Sequence, residues 1–108
     1  MGVCLRDGNV NRMGVVSLSI NVASVAANTS AEQDFTVTGL AVGDMVFVNK
    51  PSLSAGLGVT NCRVKSANTL SITFTNSTAA PIDPAAETYL IAWFRPYEGS
   101  TPPSAVLV

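Results

Sequence analysis

The chain has 108 residues, of which 12% are charged and none is His, and its formal net charge is −1. The charged share is about half of the roughly 25% usual in globular domains, and a chain of this length supports one domain around one core. These numbers exclude nucleic-acid binding through a basic surface, which needs clustered Lys and Arg, and any catalysis that relies on His.

Residues 1–14 carry Gly2, Asp7, Gly8, Asn9, Asn11 and Gly14 with no period, and read as an N-terminal arm. At 15–22, Val16, Leu18, Ile20 and Val22 alternate with Ser17, Ser19 and Asn21, the pattern of a half-buried strand. Residues 26–31 read as a turn or loop, and a second strand follows where Phe35 and Val37 alternate with Asp34, Thr36 and Thr38. In the tight connection 39–44, Leu40 is expected to plug one end of the core, with Gly39 and Gly43 relaxing the backbone. A third strand spans 45–49 and ends before Pro51.

After a Gly- and Ser-rich loop at 51–58, a fourth strand is expected over 59–66, with Cys62 and Val64 on one face and Asn61, Arg63 and Lys65 on the other. Ala67-Asn68 is a two-residue hairpin candidate. The fifth strand, 69–76, alternates most cleanly: Leu70, Ile72 and Phe74 against Ser71, Thr73 and Thr75. Residues 77–86 form a loop marked by Pro81 and Pro84. The sixth strand, 87–95, is apolar on both faces, Tyr89, Ile91 and Trp93 against Leu90, Ala92 and Phe94. Such a strand belongs either in the centre of a domain or at a subunit contact. A C-terminal arm, 97–108, ends in Val106-Leu107-Val108, an apolar run that favours docking over solvation.

Short strands separated by turn signals, with no sustained helical period, predict an all-β fold: a single antiparallel β-sandwich, Ig-like or jelly-roll-like, of six to eight strands with extended terminal arms. The domain is placed at 15–96 between the two arms. Its expected core is Val16, Leu18, Ile20, Phe35, Val37, Leu40, Val46, Val48, Cys62, Val64, Leu70, Ile72, Phe74, Ile91 and Trp93.

Chemistry-bearing constellations are weak. Glycosidase chemistry needs two carboxylates across a cleft, and Glu32 with Asp34, or Asp44 with Glu87, are the pairs that folding could unite. Asp7, Asp83 and Glu98 complete the set of acids, which read as solvent-facing or turn residues. Gly56-Leu57-Gly58 lacks the third Gly and following helix of a phosphate loop and reads as a flexible tip. Asp44 and Asp83 sit in no calcium-loop run. The aromatic set Trp93, Tyr89, Phe94 and Tyr97 could stack a sugar but reads first as core and interface packing. Cys4 and Cys62 match no disulfide or zinc framework and read as free thiols. The sequons Asn28-Thr29-Ser30 and Asn76-Ser77-Thr78 read as turn residues. The alternation at 15–22 is unlike the continuous apolar run of a secretory leader, and no stretch of about 18 apolar residues could span a membrane as a helix. The expectation is therefore no enzyme, no catalytic residue, no metal or cofactor, no nucleic-acid partner and no membrane span. With so few charges, partners are expected to cover much of the surface.

Beyond these readings, Ser24-Val25-Ala26-Ala27-Asn28-Thr29-Ser30-Ala31-Glu32-Gln33-Asp34-Phe35-Thr36-Val37-Thr38-Gly39-Leu40 resembles small structural proteins encoded by tailed bacteriophages. So do Val42-Gly43-Asp44, Val48-Asn49-Lys50-Pro51, Ala55-Gly56-Leu57-Gly58, Ala67-Asn68-Thr69-Leu70-Ser71-Ile72-Thr73-Phe74 and Glu87-Thr88-Tyr89-Leu90. The resemblance covers 15–96, leaves out both arms and transfers no catalytic residue. It implies a virion protein made in the host cytoplasm and carried on the capsid exterior. The expected role is capsid decoration (cement): binding the major capsid protein as a homo-oligomer, trimer or dimer, and clamping neighbouring capsomers. The alternative is a phage fibre, spike or tail component with host-glycan binding, and behind it a non-viral adhesin or carbohydrate-binding domain. In either virion role the arms 1–14 and 97–108 are expected to carry attachment to neighbouring chains.

Overall fold

The computed structural model describes residues 10–96. They form six strands: β1 (Val10–Ile20), β2 (Thr29–Thr36), β3 (Met45–Asn49), β4 (Leu57–Ser66), β5 (Thr69–Asn76) and β6 (Glu87–Pro96). There is no helix among the described residues. Strands β1, β6 and β3 make one antiparallel sheet in that order, and β2, β5 and β4 make the other. The two sheets pack face to face as a small all-β sandwich.

The alternation explains which face each strand buries. Inward side chains of β5 (Leu70, Ile72, Phe74) and β6 (Tyr89, Ile91) are fully buried, joined by Ile20, Val46 and Val64. Burying each large apolar side chain contributes about 1.5–3 kcal/mol. Val16, Leu18, Phe35, Val48, Cys62 and Trp93 pack against this core while partly exposed. Only β4 and β5 are joined as a hairpin; the other connections cross between the sheets. The hairpin turn puts Asn68 at φ 64, a left-handed conformation that Asn tolerates better than most residues.

Each end of the sandwich is closed by a different device. At one end Leu40 is buried as expected, and Asn68 ties down its loop. The Asn68 N–H donates to the Leu40 carbonyl at 2.9 Å, and the Gly39 N–H donates to Asn68 Oδ1 at 2.8 Å. Gly39 and Gly43 hold positive φ there, 104° and 102°. At the other end Val25 and Ile82 exchange backbone hydrogen bonds of 2.8 and 3.0 Å, and buried Asn76 lies beneath them. Asn76 Nδ2 donates to the carbonyls of Val25 (3.0 Å) and Ala80 (2.8 Å), while its Oδ1 accepts from the N–H (2.9 Å) and the hydroxyl (2.7 Å) of Thr78. Asn76 is therefore a satisfied buried buckle rather than a plain turn residue.

Strand boundaries differ from the sequence reading at both ends: β1 stops at Ile20 rather than running to Val22, β2 stops at Thr36 rather than Thr38, β6 runs one residue further to Pro96, and three strands start earlier than expected. Strand β1 begins at Val10, so 10–14 belong to the sheet rather than to an arm; Met13 and Gly14 pair with Phe94 and Trp93 of the long β6. Gly14 suits that place because a Cβ there would lie 3.1 Å from the indole nitrogen of Trp93. Strand β2 begins at Thr29, inside the segment expected to be a loop, because full-length pairing with β5 overrides the weak strand preference of Thr-Ser-Ala-Glu-Gln. The turn is confined to the residues before it, with Asn28 at φ 53. Strand β4 starts at Leu57, which is buried. The remaining arm expectations, and Cys4 with them, fall on 1–9 and 97–108, outside the described residues.

Candidate functional site: two unlike sheet faces

The outward side of β2-β5-β4 is polar and ion-paired. Arg63 on β4 reaches across β5 to Glu32 on β2, donating from Nε and Nη2 to the two carboxylate oxygens at 2.8 and 2.9 Å. Lys65 meets Asp34 at 3.1 Å, and Ser71 Oγ donates to the other oxygen of Asp34 at 2.6 Å. Small Ser71 and Thr73 on the central strand let the longer side chains pass over them. Hydroxyls extend the pattern, with Ser30 and Thr75 2.7 Å apart and Thr60 and Thr75 3.0 Å apart. Irregular pairing of β4 near Thr60 and Lys65 accompanies these contacts. The carboxyl of Glu32 is held below its usual range, chiefly by Arg63, and that of Asp34 by Ser71 and then Lys65. Surface pairs of this kind add little stability; they keep the face hydrated and defined.

The outward side of β1-β6-β3 is the opposite. None of its outward positions carries a charge: Met13, Val15, Ser17 and Ser19 on β1, Thr88, Leu90, Ala92 and Phe94 on β6, and Met45, Phe47 and Asn49 on β3. The register lays them in cross-strand rows, Met13–Phe94–Met45, Val15–Ala92–Phe47 and Ser17–Leu90–Asn49. Phe47 and Phe94 meet edge to face, with ring centroids 5.6 Å apart. Met13, Val15, Met45, Phe47 and Leu90 are between 46% and 68% exposed, so large apolar side chains stand together in water. Single exposed hydrophobics such as Val42 and Leu53 need no explanation, whereas a contiguous set on a sheet face marks an interaction surface. A shallow depression of about 300 Å³ lies around Ala92, bordered by Val15, Phe47, Asn49 and Leu90.

The remaining described ion pairs sit at the two ends of the sandwich. Lys50 donates to Glu87 at 2.8 Å, and Ser52 Oγ supports the same carboxylate at 2.7 Å; Lys50, then Ser52, lowers the Glu87 pKa. At the far end Arg95 makes a two-pronged contact with Asp44, both bonds 2.8 Å, and donates to the Gly39 carbonyl at 2.8 Å. Arg95, with the Ala41 N–H behind it, holds the buried Asp44 carboxyl low. The Arg95 guanidinium also lies 5.4 Å from the centre of the Trp93 ring. Beside it, Arg12, Thr38, Leu40 and Trp93 border a depression of about 210 Å³.

The structure separates most residues that the sequence grouped by chemistry. Glu32 and Asp34 share a face, but each has its own cation. Asp44 and Glu87 lie at opposite ends, with Arg95 and Lys50. The aromatic set divides across β6: Tyr89 is buried, Trp93 faces inward at partial burial, Phe94 lies on the outer face, and Tyr97 is outside the described residues. Gly56-Leu57-Gly58 is the pinned start of β4 rather than a flexible tip, since the Gly56 carbonyl accepts from the Ser77 N–H at 2.9 Å and Leu57 is core. Cys62 is a half-buried free thiol donating to the Val46 carbonyl at 3.1 Å, and burial raises its pKa. Asp83 joins no cluster: among the described residues no group of three or more His, Cys, Asp or Glu could hold a metal ion. No helix among them is long and apolar enough to cross a membrane. Compared with protein-family models, curated proteins and solved structures, the chain matches none.

Proposed function

We propose that this chain is a non-enzymatic structural protein of a tailed-bacteriophage virion, a decoration (cement) protein that binds the outer capsid surface and clamps neighbouring capsomers. Its partners on this reading are the major capsid protein and further copies of itself, as a trimer or dimer. The resemblance over 15–96 supplies the virion context. The observation that carries the reading is the charge-free apolar face of β1-β6-β3 on a sandwich whose other face is ion-paired. A broad apolar face works by burial against another protein surface, on this reading a further copy of the chain, with other surfaces left to meet the shell; that is the chemistry of assembly rather than turnover.

The test is add-back. Purified protein is mixed with particles that lack it, and bound copies are counted by gel densitometry and negative-stain imaging. Saturation at a ratio set by the shell's symmetry, with particles more resistant to heat, is expected; no binding overturns the role. The alternative, a fibre or tail component with host-glycan binding, draws on the depression where Trp93 stands with Arg12, Arg95 and Thr38. A glycan array distinguishes it: binding abolished by Trp93→Ala would favour that alternative.

A further inference from the structure

We propose that the outer face of the β1-β6-β3 sheet docks against the same face of a second copy of this chain, forming a two-fold dimer centred on Ala92. This inference does not depend on the virion reading. Charge is the first argument. When a face meets its own copy, every charge risks a like charge opposite it, and this face has none. The β2-β5-β4 face could meet its copy only by disturbing the Arg63–Glu32 and Lys65–Asp34 pairs.

Size is the second argument. The rows span three strands about 4.8 Å apart and about 14 Å along β6, and with side chains they present on the order of 500 Å². Two copies together would bury up to about 1,000 Å², the scale at which specific interfaces begin. Shape is the third. Phe47 and Leu90 stand proud around small Ala92, so the face offers both knob and hollow, as a self-complementary surface must. Paired this way, the sheets would lie about 10 Å apart, as in a sandwich core. Strand β6 would then be covered on both faces. The ion-paired faces of both copies would remain outside, free to meet another partner.

The test is sedimentation equilibrium of the full chain over a range of concentrations, with near-UV circular dichroism to confirm folding. The expected mass is twice the 11.2 kDa of the chain. Ala92→Arg and Phe47→Glu should each weaken the dimer by at least about tenfold while remaining folded, since neither removes a core side chain. Thr36→Arg, at an exposed position of the polar sheet, should leave the dimer unchanged. A chain that stays monomeric at millimolar concentration overturns the proposal, and points instead to cover by residues 97–108 or by a different protein. A trimer, or a dimer indifferent to both variants, also overturns it. A dimer that dissolves as expected but never binds particles overturns the virion role and leaves this inference standing.

Discussion

Tyr89 sits at the centre of the core with its ring wholly buried and its hydroxyl without a hydrogen-bond partner among the described residues. Burial, with Glu87 adding to it, pushes the phenol pKa up to about 12. A buried hydroxyl without a partner costs desolvation and returns nothing. Tyr89→Phe should therefore be neutral or stabilising, by up to about 2 kcal/mol, in urea unfolding. A loss above about 1 kcal/mol would mean that the hydroxyl is bonded. Two neighbours on β5 supply the contrast. Phe74 is fully buried and Thr73 only partly so; Phe74→Ala should cost about 3–5 kcal/mol and Thr73→Ala well under about 1. Equal losses would mean that the faces of β5 are misassigned. Asp44 gives the pH dependence. Its folded pKa lies below its unfolded value of 3.8, so its ionised form stabilises the protein above that value. The contribution is lost as pH falls through the lower folded pKa. The melting temperature should drop between pH 5 and pH 2, as it would for the other depressed carboxyls, and Asp44→Asn should flatten part of that limb. An unchanged limb would exclude Asp44 as a contributor.

At the scale of elements, the turn before β4 is locked to the turn after β5. Gly56 holds φ 84, and a Cβ placed there would overlap the Thr78 methyl. Gly56→Ala should therefore destabilise, and Thr78→Ser, which removes that methyl but keeps the hydroxyl on Asn76, should recover part of the loss. A coupling of about 0.5–3 kcal/mol in the double-mutant cycle is expected, and strict additivity would contradict the packing. Strands β3 and β5 were legible to the residue: β3 is a short apolar run between Gly43-Asp44 and Lys50-Pro51, and β5 is a clean alternation that follows Asn68 and ends at Asn76. The start of β2 was not: Thr29 to Gln33 lacks large apolar residues, and only pairing with Asn76 to Ile72 makes it a strand. Strand β1 hid its first residues, 10–14, because Met13 faces outward amid Asn11, Arg12 and Gly14 and the segment shows no alternation of its own. The two-sided apolarity of β6 announced either a buried strand or a subunit contact, and β6 buries one face and exposes the other. The rows that make the exposed face a surface were illegible, because β1, β6 and β3 are distant in sequence. The same holds for the ion pairs, since Arg63 and Glu32 lie 31 residues apart.

At the scale of the whole molecule, the buried apolar core among the described residues runs from Ile20 to Ile91, and the six described strands pair with one another within residues 10–96. Removing residues 97–108 should accordingly leave a sandwich that unfolds cooperatively, with a melting temperature close to that of the full chain. The dimer through Ala92 should survive as well, because its face lies entirely on β1, β6 and β3. What should change is attachment. On the proposed virion role, a chain with so few charges gains little from long-range steering, and its hold on the shell would come from buried area and backbone hydrogen bonds. The segment 97–108, with its apolar run Val106-Leu107-Val108, is the part proposed to supply both. On the proposed virion role, the truncated protein should therefore occupy particles less fully and protect them less against heat. Full occupancy by the truncated protein would move the anchor onto the sandwich itself, with the ion-paired β2-β5-β4 face as its first candidate. Failure of the truncated chain to fold would instead make 97–108 part of the core and put the domain boundary beyond Pro96.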